Sequence, residues 1–378
     1  MATNGGGWTP GAATMREGRA TPDVERIDHT GSSPEGTNST YVLPEHGVVV
    51  DPGPPGDHAW DVLGSGFQSA SVSIEDVEAV VVTHWHADHA GLAPRLAERA
   101  DAELFLHEAD APLVGDYAAE RGRRVERDAR TLRGWGVPDR VVDAVVDGDD
   151  PSPMPDTTPV TSVTQGDQIR GTDVVHTPGH TAGHVAISAG DALFVGDAVL
   201  PTYTPNVGGS DTRVERPLST YLDTLDGLLD HFGSDDAAAP EADRESRAVR
   251  AFPGHGPTVA LRSRITEIRE HHADRLRNAV RSLPRVDSDS RDEDEPDSER
   301  ATEAGGRGRT PWQVARDLFG EMSGIHAKMG AGEAAAHLRF GVEAGLAVRT
   351  DSDPDRYARV GDAADERFER AVSASRYR

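Results

Sequence analysis

Four residues able to bind metal crowd into six positions of the stretch VVVTHWHADHAG: His84, His86, Asp88 and His89. They follow directly on the apolar run at 80–82. Three more donors stand in the same position relative to other apolar runs: His180 in HTPGHTAGH, Asp197 in FVGD and His255 in FPGHG. A histidine-rich surface loop would have no reason to be echoed after three further strands. Ligands gathered at strand ends are where open α/β sheets place their sites. The chain has no cysteine, so thiolate ligands, disulfides and cysteine nucleophiles are excluded. Seven nitrogen and oxygen donors suit two ions, zinc first and iron or manganese next. Two ions about 3.5–4 Å apart can share a hydroxide and lower the pKa of water toward ~7, which makes a nucleophile from solvent. The chemistry expected is hydrolysis, with Asp88 and Asp197 as the candidate catalytic carboxylates.

The elements that must position these donors alternate. TNSTYVLPEHGVVVDPG reads as two strands joined by a turn at 44–47. EAVVV, ELFL, DVV, VAIS, ALFV and RAVRAF read as further short strands. Helical periodicity lies between them: Tyr221, Leu222, Leu225, Leu228, Leu229 and Phe232 mark one face, and Leu261, Ile265, Ile268, Leu276 and Val280 another. Strand–helix alternation predicts a layered α/β domain. Residues 1–36 are rich in Gly, Thr, Ser and Pro and are expected to form a flexible N-terminal tail. Residues 37–283 are the expected catalytic domain. Residues 284–310 are charged and nearly free of large apolar side chains, which predicts a disordered linker, and 235–246 predicts a shorter insertion of the same kind. In 311–378 two amphipathic helices precede LAVR and YARV, a hairpin around TDSDPDR.

The formal net charge is -26, from 39 basic and 65 acidic residues, and Lys328 is the only lysine. An acidic, lysine-poor chain resembles the proteins of salt-loving archaea, where salt screens self-repulsion. On that reading the charge answers the solvent rather than a basic partner. No apolar run is long enough to span a bilayer, and the N-terminus lacks the apolar core of a signal peptide, so a cytoplasmic enzyme without membrane attachment is expected.

THWHADH resembles the H-x-H-x-D-H signature of the metallo-β-lactamase fold superfamily. The DPG loop at Asp51, HTPGHTAGH, FVGD and FPGHG follow in that family's order, and the resemblance covers about 37–283. It implies an αββα sandwich with two metals at one edge. His84, His86 and His180 would hold the first ion, Asp88, His89 and His255 the second, and Asp197 would bridge them. Asp51 would orient the metal loop, and His184 would be structural. His107, His176, His271 and His272 read as packing or surface residues, with His271 and Arg275 near a substrate cleft as a secondary reading. The aspartate at 197 argues against antibiotic cleavage. His86 is not the glutamate of the di-iron oxygen reductases, and AVLPTYTPNVGG departs from glyoxalase II. The tail HLRFGVEAGLAVR with its hairpin resembles the winged-helix-like tail of the β-lactamase-like 2 group, which includes an endoribonuclease and hydrolases of unknown substrate.

Two functions compete, and a third, a non-catalytic scaffold that kept the fold, is opposed by the full ligand set. The first is a binuclear metal-dependent hydrolase using a metal-bridging hydroxide on a small ester, thioester or lactone. The second is a metal-dependent endoribonuclease or phosphodiesterase acting on single-stranded nucleic acid. Nucleic-acid binding wants a basic track and stacking aromatics. Here aromatics make up 5% of the chain. The module at 311–378 has 11 acidic and 10 basic residues, net -1. Its Arg339, Arg349, Arg356 and Arg359 offer only a weak electrostatic footprint, so a lid over a small substrate is the favoured role for it.

Overall fold

The valine-rich runs set the core. In the computed structural model, which describes residues 22–33, 36–233, 249–286, 308–361 and 365–373, Val48, Val49 and Val50 lie parallel and in register with Ala79, Val80 and Val81. All six are buried, as expected of β-branched strands covered on both faces. The first sheet runs β1 (Glu25–Ser33), β2 (Gly36–Leu43), β3 (Val48–Val50), β4 (Ala79–Val81), β5 (Glu103–His107) and β6 (Thr161–Val163), in that spatial order. Its first two pairings are antiparallel and the last three parallel. The second sheet holds β7 (Gln168–Ile169), β8 (Thr172–His176), β9 (Val185–Ala189), β10 (Ala192–Gly196), β11 (Arg250–Pro253) and β12 (Val259–Ala260), in reverse spatial order. Only β10 and β11 are parallel there.

One apolar cluster joins the facing sides of the two sheets, with Tyr41, Leu43, Val50 and Val81 from one and Val174, Val185, Ile187 and Phe194 from the other. On the outer face of the first sheet, Leu63 and Phe67 of helix Asp57–Ser69 and Leu96 of helix Ala93–Ala100 pack against Val49, Val80 and Leu104. The expected αββα architecture is thus present, with a C-terminal helix–strand module. That module has helices Pro311–Phe319 and Ile325–Glu343, then β14 (Ala347–Ser352) antiparallel to β15 (Asp355–Val360), with β13 (Arg285–Val286) parallel to β15. Thr310 and Gln313 form a reciprocal capping box at the start of the first helix, and Pro311 occupies its first turn.

The expected flexible tail at 1–36 needs correction. Residues 25–33 form β1, paired with β2 at the sheet edge. Ile27 is buried in the core, and Gly66 lets it approach so closely that a Cβ there would lie 2.5 Å from its side chain. Buried His29 meets Thr40 Oγ1 at 3.0 Å and lies against Gly53, where a Cβ would come within 2.5 Å of the ring. Two inward side chains at period two suffice for an edge strand, and polar neighbours hid them. Residues 1–21, the insertion at 235–246 and residues 287–307 of the expected linker lie outside the described residues.

The described chain gathers into two compact units, each discontinuous in sequence. Both large sheets and all seven candidate donors belong to the first. The second combines 121–151, 206–222 and 267–378. Trp135, Val142, Trp312, Ala331 and Ala335 form one of its apolar clusters. No helix among the described residues is long and apolar enough to cross a membrane.

Candidate metal centre

Strand ends deliver the donors. β4 ends one residue short of Thr83 and His84, β10 immediately before Asp197, and β11 before Gly254 and His255, while the antiparallel β8 leads to His180. His84 and His89 are fully buried, and His180, Asp197 and His255 are nearly so. His84 Nε2 lies 2.9 Å from His86 Nδ1, and His180 Nε2 lies 3.1 Å from the same nitrogen. Asp88 Oδ2 is 3.6 Å from His89 Nε2 and 3.3 Å from His255 Nε2. Asp197 reaches toward both groups: its oxygens are 3.5 Å from His89 Nε2, 3.5 Å from His255 Nε2 and 3.7 Å from His180 Nε2. The structure brings all seven sequence-predicted residues together. Their donor atoms form three groups able to hold an ion: His84/His86/His180, Asp88/His89/His255, and His84/His89/Asp197.

The hydrogen bonds fix which nitrogens are free. Asp51 Oδ1 accepts from the Thr83 amide at 2.7 Å, and Oδ2 accepts from Thr83 Oγ1 at 2.7 Å. That hydroxyl has spent its proton, so it accepts from His84 Nδ1 at 3.1 Å. Asp51 Oδ2 also accepts from His89 Nδ1 at 2.9 Å. Both imidazoles are thereby turned so that Nε2 faces the centre, the usual carboxylate–histidine arrangement of metal sites. His184 is different. Its Nε2 accepts from the Asp197 amide at 3.0 Å, so its Nδ1 donates to Thr177 Oγ1 at 2.7 Å. No lone pair remains for an ion, as a structural role requires.

Electrostatics agree with a cationic occupant. Burial disfavours a charged His89, yet Asp88, Asp197 and Asp51 outweigh it and push the ring well above the ordinary value. Burial likewise opposes charge on His255, but Asp197 and Asp88 push it up to about 9. Burial would raise Asp88, and His89 and His255 instead pull it down to about 2. Burial and its imidazole neighbours hold His84 well below the usual range, and His86 down to about 3. His89 Nε2 and Asp197 Oδ1 are buried without a hydrogen-bond partner. Buried lone pairs and carboxylate charge in this density demand a compensating cation, so the donor set fits divalent metal.

Gly254, the glycine before the histidine of FPGHG, allows the close approach of Asp197 and His89, while Asp110, which ties two of the centre's loops, belongs to none of the motifs. Asp110 does follow an apolar run, as the donors do, but nothing in its spacing sets it apart from surface acid. His107 and His176 stack at 4.0 Å and belong to none of the donor groups, as packing residues do.

A family model described as the metallo-beta-lactamase superfamily matches residues 33–258, well over half of the chain. A Drosophila melanogaster protein named beta-lactamase-like protein 2 homolog is 29% identical over 250 residues, covering 64% of this chain. The match spans 66% of that relative's length, just under two thirds. A protein of Aspergillus aculeatus named atrochrysone carboxyl ACP thioesterase is 25% identical over 201 residues, 50% of this chain and 46% of its own length. Among solved structures, a metallo-beta-lactamase family protein from Thermus thermophilus superposes with a TM-score of 0.64 at 25% identity, covering 89% of this chain and 98% of that one. The ordered motifs, the paired sheets and these likenesses agree: the chain belongs to the metallo-beta-lactamase superfamily.

Proposed function

We propose that this member is a binuclear metal-dependent hydrolase acting on a small ester, thioester or lactone. The observation that carries the reading is the convergence of seven nitrogen and oxygen donors into two groups with Asp197 reaching both. His84, His86 and His180 hold one ion, Asp88, His89 and His255 the other, and zinc suits this set best. The ions, when bound, supply Lewis acidity toward the carbonyl under attack and bring water's pKa near neutrality. The chain's own residues do the rest. Asp51 fixes the tautomers of His84 and His89. Asp88 is the most exposed carboxylate of the centre, with 27% of its side chain accessible. One oxygen of Asp88 faces His255 and His89, which leaves Oδ1 to take the proton of attacking water. The thioester option draws support from the relative named as a thioesterase. The catalytic residues lie within 37–283, and the module at 311–378 contributes none of the seven donors.

Purified protein in high salt, loaded with zinc, iron or manganese, is offered parallel panels of thioesters, lactones, simple esters, phosphodiesters and RNA. Two ions per chain and turnover of an acyl substrate are expected. His84→Ala should abolish turnover, while His107→Ala should leave most of it. RNA cleavage with no acyl turnover would replace this reading with the nuclease. One ion per chain, with Asp197→Asn unchanged in metal content and rate, would end the binuclear mechanism.

A further inference from the structure

Asp110 lies beyond the end of β5, and its side chain is fully buried. Its Oδ1 accepts from the Gly183 amide at 3.0 Å. Its Oδ2 accepts from Thr181 Oγ1 at 2.7 Å and from the Trp85 amide at 3.3 Å. Trp85 sits between His84 and His86, and Thr181 follows His180. One carboxylate therefore grips both loops that supply the three-imidazole group. Gly183 makes this contact possible, since a Cβ there would lie 2.6 Å from Asp110 Cγ and 2.7 Å from its Oδ1. A buried carboxylate is costly unless donors surround it. Here those donors come from the two loops, so satisfying Asp110 and closing the loops onto each other are one event.

We propose that Asp110 is a positioning residue that sets the separation of the His84/His86 loop and the His180 loop, so that the three imidazole nitrogens converge before an ion arrives. The inference rests on the reading that this trio binds metal. Ion–ligand distances must be right to about 0.2 Å. The trio is split between two loops, with His180 94 residues from His86 in sequence, so a group that holds both loops is needed to set their separation.

Two conservative variants test it. In Asp110→Asn the amide oxygen can keep the Gly183 N–H, but the NH2 group then confronts the Trp85 N–H. Thr181→Val removes one hydroxyl and little volume. Three readouts are taken: ions per chain after dialysis against limiting chelator, the visible spectrum of the cobalt-substituted protein, and hydrogen exchange of segment 177–186 in metal-free protein. Asp110→Asn should release one ion about 10–100-fold more readily, in the range of supporting residues around metal ligands, while the second ion stays. The cobalt band of the three-histidine ion should shift or vanish, and segment 177–186 should exchange faster even without metal. Thr181→Val should move in the same direction by less. Wild-type metal retention, spectrum and exchange in both variants would overturn the inference. Equal loss of both ions with exchange raised across the whole chain would overturn it too, since that is a general fold defect. A wild-type chain that binds no ion would instead overturn the metal reading. The metal-free exchange comparison would still decide whether Asp110 holds the loops.

Discussion

Gly254 offers a sharp test of how tightly the centre is built. It stands between Pro253, the last residue of β11, and His255. A Cβ at this position would lie 2.5 Å from Asp197 Oδ1 and 2.5 Å from His89 Cε1. Ordinary contact begins near 3.4 Å, so these two side chains would have to retreat by about 0.9 Å. The backbone cannot retreat in their place. The Gly254 amide donates to Gly196 O at 2.9 Å, its carbonyl accepts from the Ser39 amide at 2.8 Å, and the Gly256 amide donates to Thr37 O at 2.9 Å. Metal geometry tolerates about 0.2 Å, and a misplacement near 1 Å costs on the order of 100-fold in rate. Gly254→Ala should therefore lower kcat/KM about 100-fold, equivalent to roughly 2.7 kcal/mol of transition-state stabilisation, and weaken retention of the Asp88/His89/His255 ion. Gly64→Ala is the control. Gly64 lies within helix Asp57–Ser69, and a methyl there would have nothing within 4 Å, so alanine should add about 1 kcal/mol of stability. Steady-state kinetics and elemental analysis on both variants decide the matter. Full activity and two ions in Gly254→Ala would show that the centre yields far more than its hydrogen bonds imply.

Two further predictions concern the second unit. Buried Lys328 donates to Asp128 Oδ2 at 2.7 Å, and Thr212 Oγ1 donates to Asp128 Oδ1 at 2.6 Å. Lys328→Met should cost about 2 kcal/mol in urea unfolding, because it leaves the buried carboxylate only Thr212 and the longer 3.3 Å contact to Arg124, and adding Asp128→Asn should return part of that; a loss under about 0.5 kcal/mol would contradict the pair's burial. His272 and His337 are held neutral: burial and its histidine neighbour keep His272 well below 6.5, and burial brings His337 down to about 3. The unfolded chain takes up these protons as pH falls below about 6.5 and the fold does not, so stability drops toward acid by about 1.4 kcal/mol per pH unit for each ring. His337→Gln should flatten the unfolding profile between about pH 6 and 4 by that much, and parallel profiles would refute the assignment.

The donors could be read from the chain because each closes an apolar run, and such runs become strands whose ends share one edge. Paired sheets and their helices were legible for the same reason: periodicity of two or near four survives without tertiary knowledge. Edge strand β1 was not, since among its described side chains Ile27 and His29 are the buried ones, set among polar neighbours, and their partners, Gly66 and Gly53, are remote in sequence. The Lys328–Asp128 pair spans 200 residues, a separation across which no local pattern extends. Nor does the chain announce that residues 121–151 and 206–222 leave the first unit for the second, because helix formation is local and the choice of partner is not.

What positions the candidate donors is polar as well as apolar. Two buried aspartates, neither among the seven, stand beyond the ends of β3 and β5 and organise the centre from below. Asp51 collects the Thr83 amide, the Thr83 hydroxyl and His89 Nδ1, and through that hydroxyl it also sets the tautomer of His84. Asp110 collects Trp85, Thr181 and Gly183. Hydrophobic packing fixes volumes but leaves an imidazole free to choose which nitrogen carries its proton. A carboxylate removes that choice, since it only accepts. The bonds that satisfy Asp51 therefore decide which lone pairs of His84 and His89 face the centre, whereas those of Asp110 go to backbone amides and a hydroxyl of the two loops. The seven candidate donors alone therefore under-describe the site: Asp51, bonded to His89 and through Thr83 to His84, determines how two of those imidazoles are presented.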